Sequence, residues 1–157
     1  MFSSTTKRVI VYRFDREPLR GFVNPQMWLV EGGAEFLSPE GTFSLLPYPD
    51  LKIVSFVRDF DGNSILQEKR LFASRPKTSG LWVRAQFRDN DFLEGVMPND
   101  LLQVEPYGFT LVPPDASSNN QKIFVPRHAL KELRILGVIG QQRRRKGDPE
   151  RQIKLFE

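Results

Sequence analysis

The sequence predicts an all-β protein made of two small barrels and a basic C-terminal tail. Short runs of β-branched and aromatic residues, such as RVIVYRF and LWVRAQF, alternate with turns rich in Pro, Gly and Asn, which is typical of small β-barrels. Motifs from the first half of the chain recur in the second half, which indicates a duplicated unit. The hydrophobic content of 39% is enough for packed cores, and no apolar run is long enough to cross a bilayer.

The repeat is carried by two pairs of similar stretches. They are FDREPLRGFV (14–23) with FRDNDFLEGV (87–96), and LPYPDLKIVSF (46–56) with VPRHALKELRI (125–135). The first pair shares Leu-x-Gly, and the second pair shares a proline followed by Leu-Lys. Because two matches in the same order are much less expected by chance than one, we predict a first barrel at residues 7–58 and a second at residues 81–140.

Each predicted unit has a strand that carries a glycine and a proline turn before its last strand. Gly21 and Gly95 follow polar turns at the place where a strand of a small barrel must bend, and glycine permits such a bend. After the proline turn, the side chains of Leu51 and Leu130 are expected to enter the core. We therefore expect the two units to superpose with Gly21 on Gly95 and Leu51 on Leu130.

Residues 59–80 connect the two predicted barrels. The stretch DFDGNS predicts a turn, and SILQEKRLFAS that follows it predicts either a β-hairpin or a short helix. Leu66, Leu71 and Phe72 make the segment too apolar for a free linker. We expect these side chains to pack against the barrels and to join them into one rigid body.

This order of strand, polar turn, glycine-bearing strand, further strands and a proline turn before a last apolar strand resembles the Sm-like fold, a bent five-stranded barrel of the SH3 type. The resemblance covers residues 7–140 as two copies. It implies RNA binding by a loop after the glycine-bearing strand, where MPNDLL places Asn99, and homo-oligomers built by pairing of edge strands. The Arg-Gly turn that also holds RNA in Sm-like proteins is missing from LGVIG. The phrases SRPKTSGLWVRAQFRD and PPDASSNNQKIFVPR resemble a bacterial domain family without a known activity.

The composition argues against most classes of enzyme. The chain has no cysteine and a single histidine, His128, which no serine-and-acid pattern accompanies. It has neither of the common phosphate-binding glycine loops, and its acidic residues do not have the spacing of a calcium loop. An enzyme would need converging acids, for which Asp59, Asp89 and Asp91 are the candidates. We predict a non-enzymatic binding or adaptor protein without a cofactor or a metal.

Basic residues are concentrated in the tail, residues 141–157. The chain carries a net charge of +4, and the segment QQRRRK supplies Arg143, Arg144, Arg145 and Lys146. The tail has too little apolar content to form a core, so we expect it to be mobile. It is then either a solubilising end or an electrostatic contact for nucleic acid or another acidic partner.

The end of the tail, RQIKLFE, resembles the short peptide by which many bacterial replication and repair proteins bind the sliding clamp. Gln152, Ile153, Leu155 and Phe156 match the Gln-aliphatic-any-Leu-Phe pattern. The resemblance implies that Gln152 bonds the edge of a pocket and that the apolar residues fill a groove. The alternative is that the same apolar residues pack against a barrel.

The start of the chain lacks the small-residue cleavage site of a signal peptide, and the sequence therefore predicts a cytoplasmic protein without membrane contact. Its ligand is unknown. The alternatives to a general binding module are an RNA- or nucleic-acid-binding protein and a replication or repair accessory protein held by the sliding clamp.

Overall fold

The computed structural model describes residues 5–100, 102 and 104–140, and these residues form an all-β fold, as predicted. Short 3₁₀ turns, rather than α-helices, interrupt the strands where prolines or capping residues occur. The strands are β1 (Lys7–Arg13), β2 (Leu19–Val23), β3 (Leu29–Val30), β4 (Gly33–Leu37), β5 (Phe43–Pro47), β6 (Leu51–Val57), β7 (Gly80–Phe87), β8 (Phe92–Met97), β9 (Gly108–Leu111), β10 (Asn120–Pro126) and β11 (Leu130–Ile139). Among the described residues, no helix is both long and apolar enough to cross a membrane.

The strands form two sheets. The larger sheet has the order β3-β4-β2-β1-β6-β10-β9, with β5 added to β4, and the smaller sheet has the order β11-β7-β8. An isolated bridge between Val96 and Val112 connects β8 to the chain just after β9. The larger sheet curls because its neighbouring strands twist relative to one another, and it forms about half of a barrel wall.

The strand pairings recur in the two halves of the chain. β1 pairs with β2 and β6, and β7 pairs with β8 and β11, all in antiparallel orientation. The corresponding partners are Val9 with Gly21 and Phe56, and Val83 with Gly95 and Ile135. No pairing among the described strands joins β5 to β6 or β10 to β11, so hydrogen bonds close neither set. Two tandem barrels and their superposition stay predictions.

Gly21 and Gly95 allow close packing between neighbouring strands. A Cβ atom on Gly21 would lie 2.3 Å from the ring of Phe36, and one on Gly95 would lie 2.7 Å from the Cβ of Leu111. Neither glycine is among the described residues with positive φ. Side-chain volume therefore excludes other residues at these positions, independently of any bend in the strand.

β6 and β10 bind the two halves together. They pair antiparallel within the larger sheet, and the Ser55 hydroxyl donates a 2.6 Å hydrogen bond to Asn120 Oδ1 where both residues are fully buried. The buried apolar residues form two clusters. The first core consists mainly of first-half residues, and Phe124 of β10 joins it by packing against Trp28. The second core consists mainly of second-half residues, and Ile53 of β6 joins it. Since each half supplies residues to the other core, the described residues form one packed body.

The connecting segment, residues 59–80, folds differently from the prediction. It contains a 3₁₀ turn at Ile65–Gln67, and Ile65 is the residue that enters the second core. Leu66 is 64% exposed and Leu71 is also exposed, so the prediction that they pack against the barrels was wrong. The reciprocal bonds between Ser64 and Gln67 fix the turn so that Ile65 points inward and its neighbour points outward. Phe72 does pack, edge-on against Trp82.

Candidate binding cleft

A cavity of about 260 Å³ lies where the β1–β2 turn, the start of β6, the connecting segment and the β7–β8 turn meet. We call it the cleft. Its walls combine cationic and apolar side chains from all four of these elements. Those that carry the argument below are Arg13, Arg16, Lys52, Leu66, Arg70 and Phe92.

Arg13 occupies the cleft because the strand pairing shifts at its position. The register between β1 and β6 changes between Tyr12 and Arg13, and Asp15 then adopts a left-handed φ of 57° that turns the chain. The turn brings Glu17 back, and its backbone carbonyl accepts a 3.0 Å hydrogen bond from Arg13 Nη2. Arg13 Nε is buried and has no hydrogen-bond partner within the described part of the chain.

Lys52, which lines the cleft, forms a link between the two halves. Its Nζ donates to Asp89 Oδ2 at 2.7 Å and to Asp91 Oδ2 at 2.5 Å, and it lies 5.5 Å from the centre of the Phe87 ring. Burial alone would lower the pKa of Lys52, but the two carboxylates outweigh burial and raise it. Burial would likewise raise the pKa of Asp89, and the hydrogen bond from Lys52 lowers it instead. These charges therefore remain paired.

The three acids proposed as an alternative catalytic group do not converge. Asp89 and Asp91 share Lys52, and they also shape their own turn, in which Asp91 N–H donates to Asp89 Oδ1 at 3.2 Å. Asp59 lies in the connecting segment, where its carboxylate accepts a bond from the N–H of Asp61 in the predicted turn. Among the described residues, no group of three or more potential ligand side chains could hold a metal ion.

His128 lies outside the cleft, in the exposed 3₁₀ turn before β11. Its contribution is its backbone carbonyl, which accepts a 2.9 Å bond from Arg88 Nη1. Arg88 Nη2 donates to the carbonyl of Pro49, and the guanidinium stacks 3.9 Å from the centre of the Phe14 ring. Arg88 thus connects the β7–β8 turn to the first half of the chain, beside the cleft.

Glu94 of β8 holds the connecting segment against the smaller sheet. No role for this residue was predicted from the sequence. It is 2% exposed, and its Oε1 accepts bonds from Trp82 Nε1 and from the backbone N–H of Phe72. Its Oε2 accepts two bonds from Arg84, at 2.9 and 2.7 Å. Burial would raise the pKa of Glu94, but these donors lower it. A carboxylate inside the otherwise apolar strand FLEGVM was the signal available in the sequence.

The electrostatics of the cleft favour an anion. Four cationic side chains and two acidic ones line it, and the strongest acid contacts go to Lys52. Arg70 Nη1 lies 3.9 Å from Asp91, which is too long for a strong hydrogen bond. The guanidinium groups of Arg13, Arg16 and Arg70 therefore retain donor capacity on a surface that also exposes Leu66 and Phe92.

The residues predicted from sequence to bind nucleic acid or the clamp are not part of the cleft. Asn99 is exposed in the loop after β8. The remaining predicted residues lie outside the described residues. They are Arg143, Arg144, Arg145 and Lys146, and Gln152, Ile153, Leu155 and Phe156.

Comparison with known proteins gives one match. A family model described as a family of unknown function (DUF6982) matches residues 5–137, which include all the cleft residues. Neither the curated proteins nor the solved structures contain a match.

Proposed function

Since the chain belongs to the DUF6982 family, whose function is unknown, we propose a function from its cleft: the protein is a non-catalytic binding module that holds an anionic ligand with an apolar or aromatic body. The observation that carries this proposal is the buried Nε of Arg13, which has no partner among the described residues. A buried donor without an acceptor costs about 1–3 kcal/mol, and more for a charged group. An anionic ligand in the cleft whose acceptor reaches this atom would recover this free energy.

The ligand's charged group is expected to be a carboxylate, sulfonate or phosphate. Such a group accepts several hydrogen bonds at once, and arginine binds it with two parallel donors. Three arginines line the cleft: Arg13 from the end of β1, Arg16 from the β1–β2 turn and Arg70 from the connecting segment. An anion between them would contact donors from the first half of the chain and from the connecting segment.

The ligand's body is expected to be apolar. Leu66 and Phe92 are exposed at the cleft, where burial against a ligand would remove apolar surface from water. The volume of about 260 Å³ is near the lower end of the range for small-molecule pockets, so the ligand or its anchoring group is small.

The proposal of binding without catalysis rests on the state of the acids. Lys52 holds Asp89 and Asp91 as a paired cluster, and the lowered pKa of Asp89 disfavours the protonated form that a general acid needs. The cleft's arginines do not exchange protons near neutral pH, and burial raises the pKa of the Tyr12 hydroxyl, which also lines the cleft.

Titration with 1-anilinonaphthalene-8-sulfonate, a small aromatic anion, tests this function. We expect saturable, enhanced fluorescence from the folded protein. The double variant Arg16→Glu/Arg70→Glu should bind at least about tenfold more weakly, because it reverses two of the cleft charges. The variant Lys7→Glu/Lys77→Glu is the control, since it makes the same change in net charge at exposed positions away from the cleft.

Equal weakening by both double variants would mean that general electrostatic attraction, rather than the cleft, holds the probe. The absence of saturable binding by the folded wild-type protein, both to this probe and to 1-naphthyl phosphate, would also contradict the proposal.

The nucleic-acid and sliding-clamp functions stay predictions. The first depends on Asn99 and on Arg143–Lys146, and the second depends on residues 152–156. Neither shares a residue with the cleft, so either is compatible with a ligand bound there.

A further inference from the structure

Two strands, β5 and β11, have open edges and carry exposed apolar side chains. β5 pairs with β4 and β11 pairs with β7, and neither has a second partner among the described strands. The exposed apolar side chains on these strands are Phe43 (63%), Leu45 (48%), Ile135 (58%) and Val138 (55%). An exposed edge strand is a template for pairing with another chain, and natural proteins often protect such edges with charges or prolines. β11 does expose Lys131, Glu132 and Arg134, but its exposed apolar residues, Ile135 and Val138, lie beyond these charges.

The interior of the molecule already contains the pairing that these edges lack. β6 from the first half and β10 from the second half run antiparallel and are hydrogen-bonded neighbours in the larger sheet. The paired positions there are Phe56 with Lys122, Ser55 with Ile123, and Val54 with Phe124.

β5 is the counterpart of β10, and β11 is the counterpart of β6. β5 and β10 each end in a proline that leads into a 3₁₀ turn, and β6 and β11 each begin with a leucine directly after that turn. The separation in sequence between Pro47 and Pro126 is the same as that between Leu51 and Leu130. The pairing of the adjacent strands supports this correspondence, because β6 pairs with β1 in the same register in which β11 pairs with β7.

We propose that β5 of one molecule pairs antiparallel with β11 of a second copy of this chain, in the register that β10 and β6 use inside the molecule. The shift along the sequence then fixes the partners across the new junction. They are Phe43 with Ile135, Ser44 with Arg134, and Leu45 with Leu133.

This register places exposed apolar side chains opposite one another. Phe43 meets Ile135, so two of the most exposed large apolar residues of the two strands would cover each other. Aromatic and β-branched residues form favourable cross-strand pairs. The side chains of both edges therefore fit a second copy of the chain as the binding partner. The pairing would cover the open edge of β5 in one molecule and the open edge of β11 in the other.

The assembly is head-to-tail. Each molecule offers one β5 and one β11, so the two sides of the junction differ and repetition gives a closed ring or a filament. This proposal does not depend on the cleft, whose lining residues lie on neither β5 nor β11.

Light scattering after size exclusion, with the full-length chain, tests the proposal. Wild type should form oligomers whose mass rises between micromolar and submillimolar concentration. Phe43→Lys/Leu45→Lys blocks β5, and Ile135→Lys/Val138→Lys blocks β11. Each blocked variant alone should be a monomer of 18.2 kDa, and an equimolar mixture of the two should form a dimer of twice that mass, because one wild-type β5 and one wild-type β11 remain. Met27→Lys, at an exposed apolar residue in another loop, is the control and should assemble like wild type.

Far-UV circular dichroism of each variant checks that it remains folded. A monomeric wild-type chain throughout the concentration range would overturn the proposal and indicate that another segment, such as residues 141–157, or another protein covers the edges. Oligomers that persist in either folded, blocked variant, or a mixture that stays monomeric, would overturn it as well.

Discussion

Replacement of Glu94 by glutamine tests how strongly Glu94 holds the connecting segment against the smaller sheet. Glu94 is buried and accepts four hydrogen bonds, from Trp82, from the backbone of Phe72 and twice from Arg84. Its own N–H donates to the carbonyl of Arg70, which lines the cleft. The change keeps the size of the side chain but removes its charge and one of its two acceptor oxygens.

The expected cost follows from these bonds. A glutamine can keep its oxygen toward Trp82 and Phe72 only if its NH₂ group faces Arg84. The NH₂ group and the guanidinium are both hydrogen-bond donors, so they cannot bond each other. Two charge-assisted bonds are lost, and such bonds contribute about 1.5–3 kcal/mol each when both partners are buried. Because Arg84 is 40% exposed and can partly rehydrate, we expect a total loss of about 2–4 kcal/mol in the free energy of unfolding.

Urea unfolding followed by tryptophan fluorescence measures the loss, since Trp82 contacts Glu94 directly. Glu132→Gln is the control, because it breaks a glutamate–arginine contact of similar length, 2.8 Å, at an exposed site and should cost at most about 0.5 kcal/mol. The pKa of Glu94 is lowered in the folded state, so its contribution is present above the ordinary glutamate pKa and is lost as the pH falls toward the folded value. The difference between wild type and Glu94→Gln should therefore shrink in acid. Equal costs for the two variants at neutral pH would refute the reasoning.

Three further predictions concern separate parts of the chain. Gly95→Val should destabilise the protein by about 1–3 kcal/mol, because the new Cβ would lie 2.7 Å from that of Leu111, and an unchanged melting temperature would contradict this close packing. Lys52→Met should cost about 1–2 kcal/mol at neutral pH, and the difference from wild type should narrow in acid as Asp89 is protonated, whereas a difference that is constant with pH would be evidence against the ion pair. A peptide of residues 147–157 should bind a bacterial sliding clamp in the micromolar range and a scrambled peptide should not, while equal binding of both would rule out the motif.

Local sequence patterns were sufficient to predict the strands. The alternation in RVIVYRF and LWVRAQF and the glycine and proline turns depend on neighbours along the chain, and the structure has strands at both stretches. The same patterns did not distinguish Ile65 from Leu66 in the connecting segment. Both are apolar and adjacent, and the choice of the buried one depends on the orientation of a single capped turn.

The cleft could not be predicted because its residues converge from distant parts of the sequence. Lys52 and its two carboxylate partners are 37 and 39 residues apart in the chain, and nothing in either local stretch specifies that they meet. The Nε of Arg13, which has no partner among the residues that the structure describes, likewise lies next to a register shift that only the pairing of β1 with β6 reveals. Asp89 and Asp91 were named from the sequence, with Asp59, as candidate acids of an enzyme site, but their role as partners of a lysine depends on the tertiary contact.

The arginine side-chain signals in a ¹⁵N–¹H correlation spectrum test the proposed cleft most directly. During titration of labelled protein with 1-anilinonaphthalene-8-sulfonate, the Nε–H signal of Arg13 should shift strongly, since this buried donor gains an acceptor. The backbone amides of Leu66 and Phe92 should shift together with it and saturate at the same probe concentration. If the probe binds and shifts signals elsewhere while Arg13 Nε–H stays unchanged, the cleft is not the binding site.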